Sequence, residues 1–208
     1  PGLDEDLKTR FLAESLFIRA HYFYHLVQQF GDIPMPLKPT NSVETTAHKT
    51  KVDEVWNQIV TDLEFAVENL PETYQASEFG HITKYAAMHH LSRVYLTLKR
   101  SDDDLKKALN YAEQVINSGK YSLVKSHAEL WDINNKNNSE VLFSVLYTQN
   151  AELNGDGNTA HMYFCSAYSE EHPAVKRVIE YGRPWSRERS SDFAISLFDK
   201  TKDQRWDD

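Results

Sequence analysis

One stretch constrains this chain more than any other: Glu14 to Leu37, ESLFIRAHYFYHLVQQFGDIPMPL. Leu12, Leu16, Ala20, Phe23, Val27 and Phe30 recur at steps of three or four, the spacing of one buried helical face. Phe17 and Tyr24 widen that face, so the helix is expected to be enclosed on more than one side. Gly31 stands where a residue of positive φ closes a helix. Pro34 and Pro36 forbid continuation. The apolar tail Ile33–Leu37 therefore has to pack as an extended strap.

Further helices follow. The first is expected from Asp4 to Phe30, and a polar surface connection covers Lys38 to Thr50. Thr50 can cap the next helix, with Asp53 completing a capping-box pattern. Val52, Val55, Trp56, Ile59, Val60, Leu63, Ala66, Val67 and Leu70 form its stripe, and Pro71 ends it. Trp56 lies on that stripe and is assigned to the core. Thr83 caps a third helix with the face Ala86, Ala87, Leu91, Val94, Tyr95 and Leu98. Ser101, followed by Asp102, Asp103 and Asp104, caps a fourth and sets negative charge at the positive end of its dipole. Leu105, Ala108, Leu109, Ala112, Val115 and Ile116 are its stripe, and Gly119 closes it.

The third and fourth helices make a hairpin close to the tetratricopeptide (TPR) period of about 34 residues. After Gly119 the pattern breaks up. Tyr121–Leu123 reads as extended, and His127–Trp131 as a helical turn. Glu140–Tyr147, EVLFSVLY, reads as a buried strand or short extended segment. Thr148–Ala160 is a loop, His161–Tyr168 is aromatic and irregular, and Ala174–Tyr181 is a short helix. Arg183-Pro184-Trp185 is a non-helical corner, and Ser191 opens a last helix through Phe198. The expected fold is all-α, with TPR-like helices over 4–119 and a strand, loops and ligand-facing region over 120–208, in one domain spanning 1–208.

Net charge is −8, and the closest basic cluster is Arg183, Arg187 and Arg189. Phosphate-backbone binding needs a basic patch, so no nucleic-acid role is expected. Cys165 is the only cysteine, which excludes an internal disulfide and a cysteine-based zinc site. No stretch reaches the roughly 18 apolar residues of a membrane helix. The chain opens on Pro1 and stops at Asp208, and is taken as a piece of a longer protein.

Catalytic patterns are absent. His21 and His25 stand at i and i+4, but no Glu completes a His-Glu-x-x-His motif and no third ligand is evident. They are assigned to a helix surface or a contact between helices. His89 and His90 are adjacent and point in different directions. Asp132-x-Asn134-x-Lys136 resembles the start of a calcium loop, but Asn137 and Phe143 stand where an EF-hand needs Gly and Glu. There is no Gly-rich phosphate loop and no Gly-x-Ser-x-Gly elbow. No enzyme activity, metal or cofactor is expected.

Arg19-Ala20-x-Tyr22-Phe23-Tyr24-x-Leu26-Val27-x-x-Phe30-Gly31-Asp32-Ile33-Pro34 resembles the most recognisable block of the SusD/RagB family, helical glycan-binding lipoproteins of Bacteroidota outer membranes. Further blocks resemble it in the same order. They are Val55-Trp56 to Leu70-Pro71, Gly80 to Leu96 with its Ala86-Ala87 pair, Ala112 to Leu123, Ser139 to Val145, and Ser191 to Arg205. His81 follows Gly80 where the family commonly has Arg. The family's lipidated-cysteine start and its C-terminal portion have no counterpart here. Arg19, Asp62, Lys84 and Arg93 lie on or beside apolar stripes and are assigned to buried or half-buried hydrogen bonds that lock helix register.

Sugar binding needs an aromatic ring for a pyranose face, and Asn, Asp, Arg or Gln for the hydroxyls, on loops carried by a rigid scaffold. Asp156, Asn158, Tyr163, Tyr168, Arg183 and Trp185 supply those types, with Asn154 and Arg187 beside them. Trp185 follows a proline and lies off any stripe, so it is either the stacking platform or a packing residue. The resemblance implies non-catalytic oligosaccharide binding at the outer face of the outer membrane, and delivery to a TonB-dependent SusC-like transporter. Attachment would be through a lipid anchor outside this chain. The alternative is a TPR-type scaffold or a RagB-like protein that binds a peptide or protein partner.

Overall fold

The computed structural model describes residues 2–43, 45–148, 150, 152, 158, 160–164 and 188–203. Helices dominate, as the sequence pattern requires. They are α1 (Glu5–Phe30), α2 (Val52–Asn69), α3 (Lys84–Leu98), α4 (Asp102–Asn117), α5 (His127–Trp131), α6 (Ala160–Phe164) and α7 (Asp192–Ser196). Contacts divide the chain into two units, Pro1–Val124 with Lys136–Ser144, and Lys125–Asn135 with Val145–Asp208. Among the described residues no helix is long and apolar enough to cross a membrane.

In the first unit, α2 packs along α1 and α3 while α4 folds back on α3. The core is one cluster in which Phe17, Val55, Ile59, Leu63, Leu91 and Val94 are almost wholly enclosed. On α1 the buried line is Ala13, Phe17, Ala20, Phe23, Tyr24 and Val27. The sequence pattern put Leu12 and Phe30 on that face, yet they are 49% and 65% exposed. Apolar residues run almost all round α1, so periodicity alone does not set the phase of its buried side. Trp56 is in the core, as expected.

The end of α1 is the most informative local structure. Gly31 takes φ 67° and its N–H donates to the Val27 carbonyl, a backbone conformation that a side chain would strain. The turn carries Asp32 to the start of α2. There its carboxylate accepts from the Val52 N–H (3.0 Å) and from Lys51 Nζ (2.8 Å). Ile33 is buried, and its carbonyl receives the Thr50 N–H at 2.8 Å in an isolated antiparallel bridge. The expected Thr50–Asp53 capping box does not form, and the N-cap position is Lys51, without a side-chain cap of its own. Asp32 does that work from across the strap: it satisfies an orphan N–H and places a negative charge at the helix start.

One polar contact joins α1 to α2 deep in the packing. Arg19 meets Asp62 with both ends of its fork, Nε to Oδ2 at 2.7 Å and Nη2 to Oδ1 at 2.6 Å, and Gln58 Nε2 donates to the same Oδ1 at 2.7 Å. Asp62 is 2% exposed. This fits the register-locking role read for both residues. Arg93 does not share that role: it lies exposed, with its guanidinium 5.7 Å from the centre of the Tyr24 ring.

Thr83 and Ser101 cap α3 and α4 as their sequences ask, accepting from the Ala86 and Asp104 N–H groups. Ala86 and Ala87 are buried, and Ser92 Oγ donates to the Ala108 carbonyl at 2.7 Å, so the two helices cross closely. Leu109 and Ile116 are on the outside of α4, 59% and 73% exposed. The Glu140–Tyr147 run forms no strand. It is half-buried as far as Ser144 and exposed from Val145.

In the second unit, α5 is capped by Ser126, which accepts from the Glu129 N–H. The helix α6 covers Ala160–Phe164, where irregular chain was expected. Ser191 caps α7 as expected. The expected helix at Ala174–Tyr181 and the corner at Arg183-Pro184-Trp185 lie outside the described residues.

Two outcomes follow. Arg19→Ala leaves the Asp62 carboxylate buried without its partner and should cost about 3 kcal/mol, read as a lower urea midpoint with an unchanged slope. Asp32→Ala should lower Tm. Its partners Lys51 and Val52 hold the Asp32 carboxyl below its ordinary value, so its contribution is complete above the ordinary carboxylate pKa and is lost as pH falls through the lowered one. The Tm difference between wild type and Asp32→Ala should therefore shrink in acid.

Candidate functional site

The connection from α2 to α3 is anchored on α1. Glu14 accepts from Tyr74 Oη at 2.8 Å, and His81 Nδ1 lies 2.9 and 3.0 Å from its two oxygens. The rings of Tyr74 and His81 stack at 5.2 Å, and the Arg10 guanidinium sits 5.5 Å from the Tyr74 ring centre. Burial and the Glu14 carboxylate push the Tyr74 phenol well above its ordinary pKa. It therefore stays a neutral donor.

A second segment faces this loop. Ser139 is tied to Ser122 through backbone (Ser122 N–H to Ser139 C=O, 3.0 Å) and hydroxyl contacts, and Glu140 accepts from the Val124 N–H at 3.1 Å. Between the two segments lies a cavity of about 330 Å³ lined by, among others, Tyr74, Phe79, His81, Tyr121, Asn137 and Phe143. Aromatic faces beside amides and hydroxyls suit a neutral polar ligand, and Glu72 and Glu78 in the wall disfavour an anion. No local pattern points to this cavity, because its walls are some sixty residues apart in the chain.

A third feature lies on the α1–α3 flank. His21 and His25 have ring centres 4.7 Å apart, and His90 on α3 is 5.4 Å from His21 and 5.0 Å from Tyr24. His90 is 5% exposed, and its Nε2 has no hydrogen-bond partner among the described residues. Burial, then the neighbouring His21 and Arg93, lower its pKa to about 3. Burial and nearby charges lower His21 as well. No three His, Cys, Asp or Glu side chains among the described residues are grouped to hold a metal.

Of the residues read as sugar contacts, the structure describes two. Asn158 is exposed, and its Oδ1 receives the Ala160 N–H at 3.0 Å in the turn that leads into α6. Tyr163 is half-buried on α6, and its carbonyl receives the Glu188 N–H at 3.1 Å. Asp156, Tyr168, Arg183 and Trp185 lie outside the described residues. Sequence reasoning passed over Trp131, which is 71% exposed with its indole N–H donating to His127 Nε2 at 2.9 Å. The i, i+4 spacing of His127 and Trp131 was the available signal. An exposed ring with its orientation fixed in this way is ready to stack on a flat ligand.

A SusD-like family model, described as starch-binding associating with outer membrane, matches residues 3–96. SusD-like protein P2 of Formosa agariphila is 31% identical over 189 residues, 88% of this chain and 35% of that protein. A structure described as a laminarin binding SusD-like protein superposes with TM-score 0.69 at 26% identity, covering 80% of this chain and 38% of the other. A structure with xylogluco-oligosaccharide gives TM-score 0.66 at 26% identity, over 70% and 31%. The chain spans about a third or less of the length of the curated relatives it matches.

The anchor of the α2–α3 connection gives a direct test. Glu14→Ala removes the acceptor shared by Tyr74 and His81 and should cost about 2 kcal/mol. Limited proteolysis should then cut within Glu72–His81 several-fold faster than in wild type.

Proposed function

We infer that this chain, which belongs to the SusD-like family, is part of a non-catalytic surface protein that captures oligosaccharide and hands it to a TonB-dependent SusC-like transporter. The observation that carries this is the match of its fold to a laminarin binding SusD-like protein and to a structure with xylogluco-oligosaccharide. On this reading the protein works at the outer face of the outer membrane, held by a lipid anchor.

The division of labour follows from the physics. A saccharide offers one apolar face and a rim of hydroxyls, so its affinity comes from a few rings and polar groups held in place in advance. The α1–α4 unit is the rigid carrier. Asp156, Asn158, Tyr163, Tyr168, Arg183 and Trp185 are the proposed contacts, and the exposed Trp131 joins them as a candidate. The cavity beside Tyr74 and Tyr121 is of a size for one or two sugar rings.

One observation favours a second reading, in which the cargo is a peptide or protein. A groove of about 410 Å³ lined by Val115, Ile116, Leu123 and Leu142 is mostly apolar, and the α3–α4 hairpin resembles a peptide-binding repeat.

Affinity gel electrophoresis of the full-length protein against a panel of polysaccharides separates the two. Retardation by one polysaccharide, reduced at least tenfold in Trp185→Ala, is the expected outcome. Retardation kept in Trp185→Ala would move the site to other residues. No retardation by any polysaccharide would overturn the glycan reading in favour of peptide cargo.

A further inference from the structure

We propose that His90, with His21 and His25 beside it, is an acid-sensitive latch that holds α3 and the Ser139–Ser144 segment against α1 at neutral pH and loosens them in mild acid.

The geometry carries this. His90 sits at the centre of an aromatic nest: Phe17 at 5.6 Å, Tyr24 at 5.0 Å and His21 at 5.4 Å between ring centres. Phe143 closes the nest from the Ser139–Ser144 segment, 5.2 Å from Phe17 and 5.9 Å from His21. The same Phe143 lines the cavity beside Tyr74 and Tyr121. A change in the nest is therefore a change in a cavity wall.

The chemistry of the neighbours sets the direction. The charged and titratable groups acting on His90 are His21 and His25 from α1, and His89 and Arg93 from α3. Towards Tyr24, α2 presents the uncharged Trp56, and the Ser139–Ser144 segment presents Phe143. No carboxylate stands among these groups to compensate an imidazolium. A proton placed on the orphaned Nε2 of His90 would be a buried charge facing imidazoles and a guanidinium, without a hydrogen-bond acceptor among the described residues.

The sign follows. Burial lowers His90 in the folded protein, and His21 and His89 are lowered in the same direction. In the unfolded or locally opened chain each imidazole takes up its proton near pH 6.5. Stability is complete above that pH and is lost as pH falls below it, down to the lowered value. The folded-to-open ratio falls about tenfold per pH unit for each imidazole kept neutral.

The test compares the full-length protein with His90→Met and His21→Asn in urea unfolding from pH 7.5 to 5.0. Hydrogen exchange of the Ser122, Val124 and Val141 amides, whose hydrogen bonds hold the Ser139–Ser144 segment, is read alongside after correction for the intrinsic pH dependence. The expected result is a ratio that falls about tenfold less per pH unit in His90→Met than in wild type, with a smaller relief in His21→Asn. Protection at Ser122, Val124 and Val141 should drop on acidification in wild type, hold in His90→Met and drop less in His21→Asn. Should His90→Met fail to fold, His21→Asn and the wild-type exchange profile decide the question. Parallel pH curves for wild type and the folded variants, or protection at Ser122, Val124 and Val141 that does not change with pH, would overturn the proposal.

Discussion

The fork between Arg19 and Asp62 is the contact on which the first unit depends. A carboxylate 2% exposed is tolerated only with its charge met and its lone pairs occupied. Arg19 and Gln58 do both. Apolar faces slide past one another at little cost, but a buried carboxylate does not. A shift of α2 along α1 by one residue would carry Asp62 away from Arg19 and leave the carboxylate buried without its partner. The pair thus fixes the register of the two helices, and much else is a consequence of that register. The end of α1 comes to lie where Asp32 reaches the first N–H of α2. Gly31 makes the turn, and Ile33 bridges to Thr50.

Most of the regular structure was legible because its signals are local. Thr83, Ser101 and Ser191 each cap the helix that follows within three residues, and Gly119 at φ 66° follows the end of α4. Where the deciding group is distant, local reading failed. The cap of α2 comes from Asp32, twenty residues upstream, so Thr50 looked like the better candidate. The buried side of α1 was rotated in the reading because Phe11, Leu12, Ile18, Leu26 and Phe30 extend its apolar surface beyond the face that the core takes up. The Glu140–Tyr147 run has strand composition, but it meets side chains rather than a neighbouring strand, so it stays irregular. The cavity was invisible for the same reason: Tyr74 and Phe143 become neighbours only once α1 has gathered both segments.

The proposed function divides along the same line. Register-fixing residues, Arg19, Asp62 and Asp32, are engaged in bonds within the helical unit. Of the proposed contacts among the described residues, Trp131 and Tyr163 stand on short helices and Asn158 just before one, where substitution would change what is bound without cost to the core. On the proposed function, a family of carriers could share one helical unit and differ in cargo. Identities of 26–31% to relatives with TM-scores of 0.66 and 0.69 to two of them fit such a division.

Hydrogen exchange of the full-length protein, with and without a bound oligosaccharide, tests that division most directly. If the helical unit is a rigid carrier, the amides of Phe17–Val27, Ile59–Ala66 and Ala87–Val94 should be equally protected in both states. Changes should be confined to the loops and the short helices. Ligand-dependent protection spread through α1 and α2 would contradict it, and would make the helical core itself part of the binding machinery.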